Sequence, residues 1–128
     1  MGTDVTQGIR VEVRPRFEPA HSDVPQGRCI FSYRVRIVNE GSRPVKLLRR
    51  LWHIHDGLAP VREVEGPGVV GETPVIAPGE RYTYESFCDL RSGQGRMHGS
   101  YLMSRLPDDH FFEVRIPEFH LELPWLAN

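Results

Sequence analysis

At 128 residues the chain is long enough for one domain that buries roughly two thirds of its unfolded surface, and its 39% hydrophobic and 26% charged content is that of an ordinary globular protein. A formal charge of −1 argues against generic nucleic-acid binding. No apolar run approaches the ~20 residues that span a bilayer. The first ten residues, MGTDVTQGIR, hold neither a basic n-region nor an apolar h-region, so the expected location is the cytoplasm.

In chain order the first predicted element places Ile9, Val11, Val13, Pro15 and Phe17 opposite Arg10, Glu12, Arg14 and Arg16. That period of two marks a half-buried strand, and Pro15 puts it at a sheet edge or ends it early. After a loop over 18–27 a second strand turns Cys29, Phe31, Tyr33, Val35 and Ile37 to one face and Arg28, Ser32, Arg34 and Arg36 to the other. Asn39-Glu40-Gly41-Ser42 forms a turn. The segment 45–55 also fits a helical face through Leu47, Leu48, Leu51, Trp52 and His55, but turn signals bound it on both sides, so a strand with a local bulge is expected.

Asp56-Gly57 is a turn, and residues 61–65 read as a short exposed strand. From Gly66 to Tyr101 seven glycines and three prolines punctuate short alternating segments. One of these turns Tyr82, Tyr84, Ser86 and Cys88 inward, and the next does the same with Met97, Gly99, Tyr101 and Met103. Pro107-Asp108-Asp109 predicts a type I turn, followed by two strands, at Phe112–Ile116 and near Phe119–Leu123. Seven or more short strands at regular spacing predict an all-β fold, a sandwich of two antiparallel sheets in a single domain over 1–128 with its core at about 5–124. Cys29 and Cys88 flank Trp52 as in an immunoglobulin domain, yet Ser86 stands where a tyrosine is expected, so both are read as reduced core thiols.

The pattern GxGVVGExPxIxPGExYxYxS over Gly66–Ser86, followed by GxMxGxYxM over Gly95–Met103, resembles the ApaG family, and the similarity runs from about Val5 to Pro124. The resemblance implies an immunoglobulin/fibronectin type III-like β-sandwich. The domain occurs alone in bacteria and at the C-terminus of certain eukaryotic F-box and polymerase-interacting proteins, which implies a protein-recognition role. It also carries an association with cobalt resistance and magnesium efflux, and no catalytic residues.

Four constellations invite chemistry. Gly66, Gly68 and Gly71 imitate a phosphate-cradling GxGxxG, but Pro67 removes a donor, no helix follows, and Glu65 and Glu72 flank the loop; the alternative is a tight turn with glycines at positive φ. His53 and His55 share one strand face with Asp56 beside them, against the three or four ligands that zinc or cobalt needs. Cys88 has no basic neighbour in sequence, no nucleophile elbow is present, and Asp108-Asp109 is turn chemistry. Finally, antiparallel pairing of the first two strands would bring Arg10, Arg14 and Arg16 beside Arg28, Arg34 and Arg36, with Glu12 and Glu85 interleaved to relieve like-charge repulsion. The chain also divides electrically, with 11 basic and 7 acidic side chains in 1–64 but 5 and 10 in 65–128. The expectation is a non-enzymatic module, with no cofactor, metal ligand, nucleic acid or membrane insertion. Its candidate surfaces for a protein partner are the face of Arg10, Arg14, Arg16, Arg34 and Arg36, which either docks an acidic partner or is simply a solvated face of surface ion pairs, and the loops around Gly66–Gly71. The alternative is a small-ligand protein that takes a divalent metal, a nucleotide or pyrophosphate at Gly66–Gly71. Pro15 and Pro117 are read as edge protection. Oligomeric state is left open.

Overall fold

The computed structural model describes residues 2–126. Nine strands occur among them: β1 (Gly2–Thr6), β2 (Ile9–Phe17), β3 (Cys29–Asn39), β4 (Val45–Asp56), β5 (Ala59–Pro67), β6 (Val75–Ile76), β7 (Arg81–Leu90), β8 (Gln94–Arg105) and β9 (His110–Glu122). One sheet runs β1-β2-β3-β7 and the other β5-β4-β8-β9, with β6 paired to β4; every pairing is antiparallel. This is the two-layer sandwich that the resemblance implies.

The alternation decides which side of each strand is dry. Ile9, Val11 and Val13 of β2, the odd residues Cys29–Ile37 of β3, and Tyr84, Cys88 and Leu90 of β7 face Leu47, Trp52, Met97, Tyr101, Met103, Val114 and Phe119 across the layer gap. At its centre the Trp52 ring meets Tyr33 edge-on at 5.3 Å and Phe119 at 5.9 Å. The hydroxyls of Tyr84 and Tyr101 hydrogen-bond to each other between the sheets, so neither is buried without a partner. Cys29 and Cys88 are free and buried, in keeping with core thiols.

Two bulges let long strands keep one face dry. Leu47 pairs with Met103 and Arg49 with Leu102, leaving Leu48 as the extra residue; 45–55 is therefore a strand with a bulge, as its flanking turns predict. In β9, Met97 pairs with Phe119 and Gly99 with Ile116, so Pro117 and Glu118 oppose His98 alone. The buried positions switch there from even (Phe112, Val114, Ile116) to odd (Phe119, Leu121). That switch imitates a strand break, and the two strands predicted after residue 110 are one.

Strand β1 is absent from the predicted set. It pairs with β2 only as far as Val13, so Pro15 lies where β2 has no neighbour on that side. Its missing N–H is harmless there. Strand β1 also shields β9: the Arg115 N–H donates to Thr6 Oγ1 at 3.1 Å, and the Arg115 guanidinium lies 3.3 Å from the Asp4 carboxylate. The edges left bare are β5 and β7. Arg62 ties them together, donating to the Asp89 carbonyl and lying 3.3 Å from the Asp89 carboxylate. The turn predicted at 107–109 is present, with a cis Leu106–Pro107 peptide.

Candidate functional site

The outer face of the four-stranded sheet is laid out by register. Arg14 lies directly opposite Arg34, and Arg34 opposite Glu85; in the next row Glu12 faces Arg36, and Arg36 faces Thr83. A row further on, Arg81 of β7 faces Val38. Glu12, Arg14, Arg34, Arg36, Arg81 and Thr83 line an open groove of about 440 Å³. The interleaved carboxylates expected from sequence are present but stand off, Glu12 at 3.8 Å from Arg36 and Glu85 at 3.9 Å from Arg34.

The structure redistributes the other predicted members of this face. Arg10 is held at the Glu40 carboxylate by two bonds, of 3.0 and 3.2 Å, and Arg16 sits at the rim opposite Ser32. Arg28 precedes β3, its backbone N–H and carbonyl paired with those of Asp23 across the 23–28 turn. Sequence reasoning missed Arg81, because alternation within one strand does not disclose that β7 is the neighbour of β3.

The glycine loop is a closed turn. Val69 N–H donates to the Glu72 carbonyl at 2.8 Å and Glu72 N–H returns to the Val69 carbonyl at 2.9 Å, while Gly68 N–H donates to Leu48 at 2.8 Å. Three backbone donors are thereby spent internally. Gly68 has φ 59°, and a Cβ there would enter the Glu72 carbonyl, so glycine is required for the turn itself. Gly66 packs against the Arg50 guanidinium, whose Nη1 donates to the carbonyls of Pro67 and Gly68.

On the outer face of the other sheet the structure inserts His98 between the two predicted histidines. His53 and His98 are cross-strand partners with stacked rings 4.9 Å apart and 16° from parallel; His98 and His55 stack at 5.1 Å, with their Nε2 atoms 3.0 Å apart. Which Nε2 donates to the other depends on the tautomers of the two rings. Burial, reinforced by Arg96 and by His98, holds the His55 imidazole below the usual histidine pKa. Near-parallel rings do not aim their lone pairs at a common point. Among the described residues no group of three His, Cys, Asp or Glu side chains could hold a metal ion.

Cys88 does have a basic neighbour in space, with Arg62 Nη2 at 3.8 Å from its sulfur. Burial outweighs that cation and pushes the thiol up to about 11, which suits a packed side chain rather than a nucleophile.

Fold and surface together define an all-β sandwich of two antiparallel sheets with a cluster of arginines on one outer sheet face. The sequence profile of the ApaG domain matches residues 19–105. "Protein ApaG" of Methylorubrum extorquens (strain PA1) is 46% identical over 123 residues, covering 96% of this chain and 94% of that protein. "Protein ApaG" of Anaeromyxobacter dehalogenans (strain 2CP-C) is 44% identical over 128 residues and the full length of both. The crystal structure of an ApaA-designated protein from Bordetella pertussis superimposes with a TM-score of 0.87 at 43% identity, covering 95% of each chain. The chain belongs to the ApaG domain family.

Proposed function

We propose that this chain is a non-enzymatic recognition module that docks an acidic protein partner through the outer face of its four-stranded sheet. One observation carries the reading. Arg14 and Arg34 sit directly opposite each other, an arrangement that costs free energy on a sheet, in a groove that also holds Arg36 and Arg81. A solvated face gains nothing from that cluster, whereas an acidic partner relieves its repulsion and receives paired guanidinium contacts. The dry layer beneath is occupied by packed aromatic and aliphatic side chains, which support a rigid platform.

Cross-linked capture from the native host tests the reading. Wild-type protein should retain an acidic partner that R34E/R36E loses, with both proteins unfolding at the same temperature. Equal capture by the two would refute it. A thermal-shift panel addresses the competing small-ligand reading, since ligand at a hundredfold excess over Kd stabilises by about 2.7 kcal/mol. Cobalt, magnesium, nucleotides and pyrophosphate are expected to leave the unfolding temperature unchanged; a clear rise with any of them would favour that alternative.

A further inference from the structure

Eight of the fifteen arginines, Arg14, Arg16, Arg28, Arg34, Arg36, Arg81, Arg91 and Arg115, donate from the guanidinium to no protein acceptor among the described residues, and four of those eight are gathered in the groove. Arg10, Arg43, Arg49, Arg50, Arg62, Arg96 and Arg105 each hydrogen-bond to a protein carboxylate, carbonyl or ring nitrogen. Of the groove's four, Arg14 and Arg81 also make no ion pair among the described residues. Each guanidinium carries five N–H donors in a fixed fork, so the groove walls present a dense set of unused donors. Within the groove, four cations stand against the one carboxylate of Glu12.

The placement of the carboxylates decides what form of negative charge fits. Glu12 shares a row with Arg36, and Glu85 shares a row with Arg34. A ligand with charge spread evenly along its length, such as a run of acidic side chains or a nucleic-acid backbone, would set some of that charge against Glu12 or Glu85. A ligand with two charges on one small group avoids both. It can lie between Arg14 and Arg34, two arginines directly opposite each other, on the side of Arg34 away from Glu85, with Arg36 in the next row and Arg81 a row further on. A phosphomonoester is such a group, because it carries close to two negative charges near neutral pH on three strong acceptor oxygens. The groove is an open depression on a sheet face, so the group must arrive on a flexible chain segment.

The geometry points to a phosphomonoester on an extended protein segment as the ligand of the Arg14–Arg34–Arg36–Arg81 groove. This rests on the recognition reading above and narrows it from acidic partners in general to phosphorylated ones. Guanidinium clusters are a recurrent means of reading phosphorylated segments, and here the cluster is assembled from three adjacent strands, β2, β3 and β7.

Fluorescence anisotropy with short degenerate peptides tests it, using matched sets centred on phosphoserine, glutamate or serine, with inorganic phosphate as competitor. The phosphoserine set should bind about tenfold tighter than the glutamate set. The serine set should not bind, and inorganic phosphate should compete only at much higher concentration. R14A/R34A should lose that binding with its thermal unfolding unchanged, while R91A, outside the groove, should retain it. Equal or tighter binding of the glutamate set removes the phosphoryl preference and leaves the acidic-partner reading standing. Inorganic phosphate competing as well as peptide would overturn the protein-borne ligand. Absence of phosphoserine binding, with host capture still lost in R34E/R36E, sinks this inference alone; unaltered capture as well sinks both.

Discussion

Asn39 is fully buried at the end of β3, and its side chain satisfies three groups. Its amide nitrogen donates to the carbonyls of Arg43 and Ile76 at 2.8 and 2.9 Å, and its oxygen accepts from the Gly41 N–H at 2.9 Å. The side chain therefore braces the β3–β4 turn against the approach to β7. Asn39→Asp keeps the shape but turns an acceptor toward two carbonyls. It should cost about 3 kcal/mol, seen as a lower urea midpoint at unchanged slope; a loss under about 0.5 kcal/mol, the scatter of ordinary surface changes, would show that the brace contributes nothing. The turn at this asparagine is visible in sequence, but its bond to Ile76 is not, since that contact joins segments 37 residues apart. The same limit hides Arg62 as the basic neighbour of Cys88, 26 residues away.

Among elements, strand faces were largely legible and neighbours were not. Hydrophobic alternation reports which side of a strand is dry, as Cys29–Ile37 and Tyr82–Cys88 do, because each strand carries that signal alone. It says nothing about which strand lies alongside. Bulges distort it as well: the flanking turns announced the one at Leu48, while the one at Pro117 and Glu118 shifted the dry parity and read as a break. Strand β1 escaped notice because its five residues, Gly2–Thr6, show no buried position. Pairing of β4 with β8 also created the histidine row, and this gives a pH prediction. The folded-state pKa of His55 is depressed, so the unfolded chain binds more protons, and stability is full above the unfolded value of about 6.5 and falls as pH drops below it. Urea midpoints between pH 8 and 5 should decline through that window, and H55N should flatten the decline. A midpoint that rises on acidification would contradict the assignment.

For the molecule as a whole, the sandwich is closed on one long side and polarised between its two faces. Strand β1 covers β9 on one side, and Arg62 laces β5 to β7 on the other. The four-stranded sheet faces outward with arginines held only by long ion pairs or none, and the five-stranded sheet with stacked imidazoles bordered by Glu63 and Glu118. The arginine groove was half legible. Arg14, Arg34 and Arg36 follow from alternation, but Arg81 required the β3–β7 pairing, and the standoff of Glu12 and Glu85 required three dimensions. Amide and guanidinium NMR shifts on adding the partner captured from the host test the central claim most directly. The account predicts perturbations concentrated at Arg14, Arg34, Arg36 and Arg81. Perturbations confined to Gly66–Gly71 or to His53, His55 and His98 would contradict it.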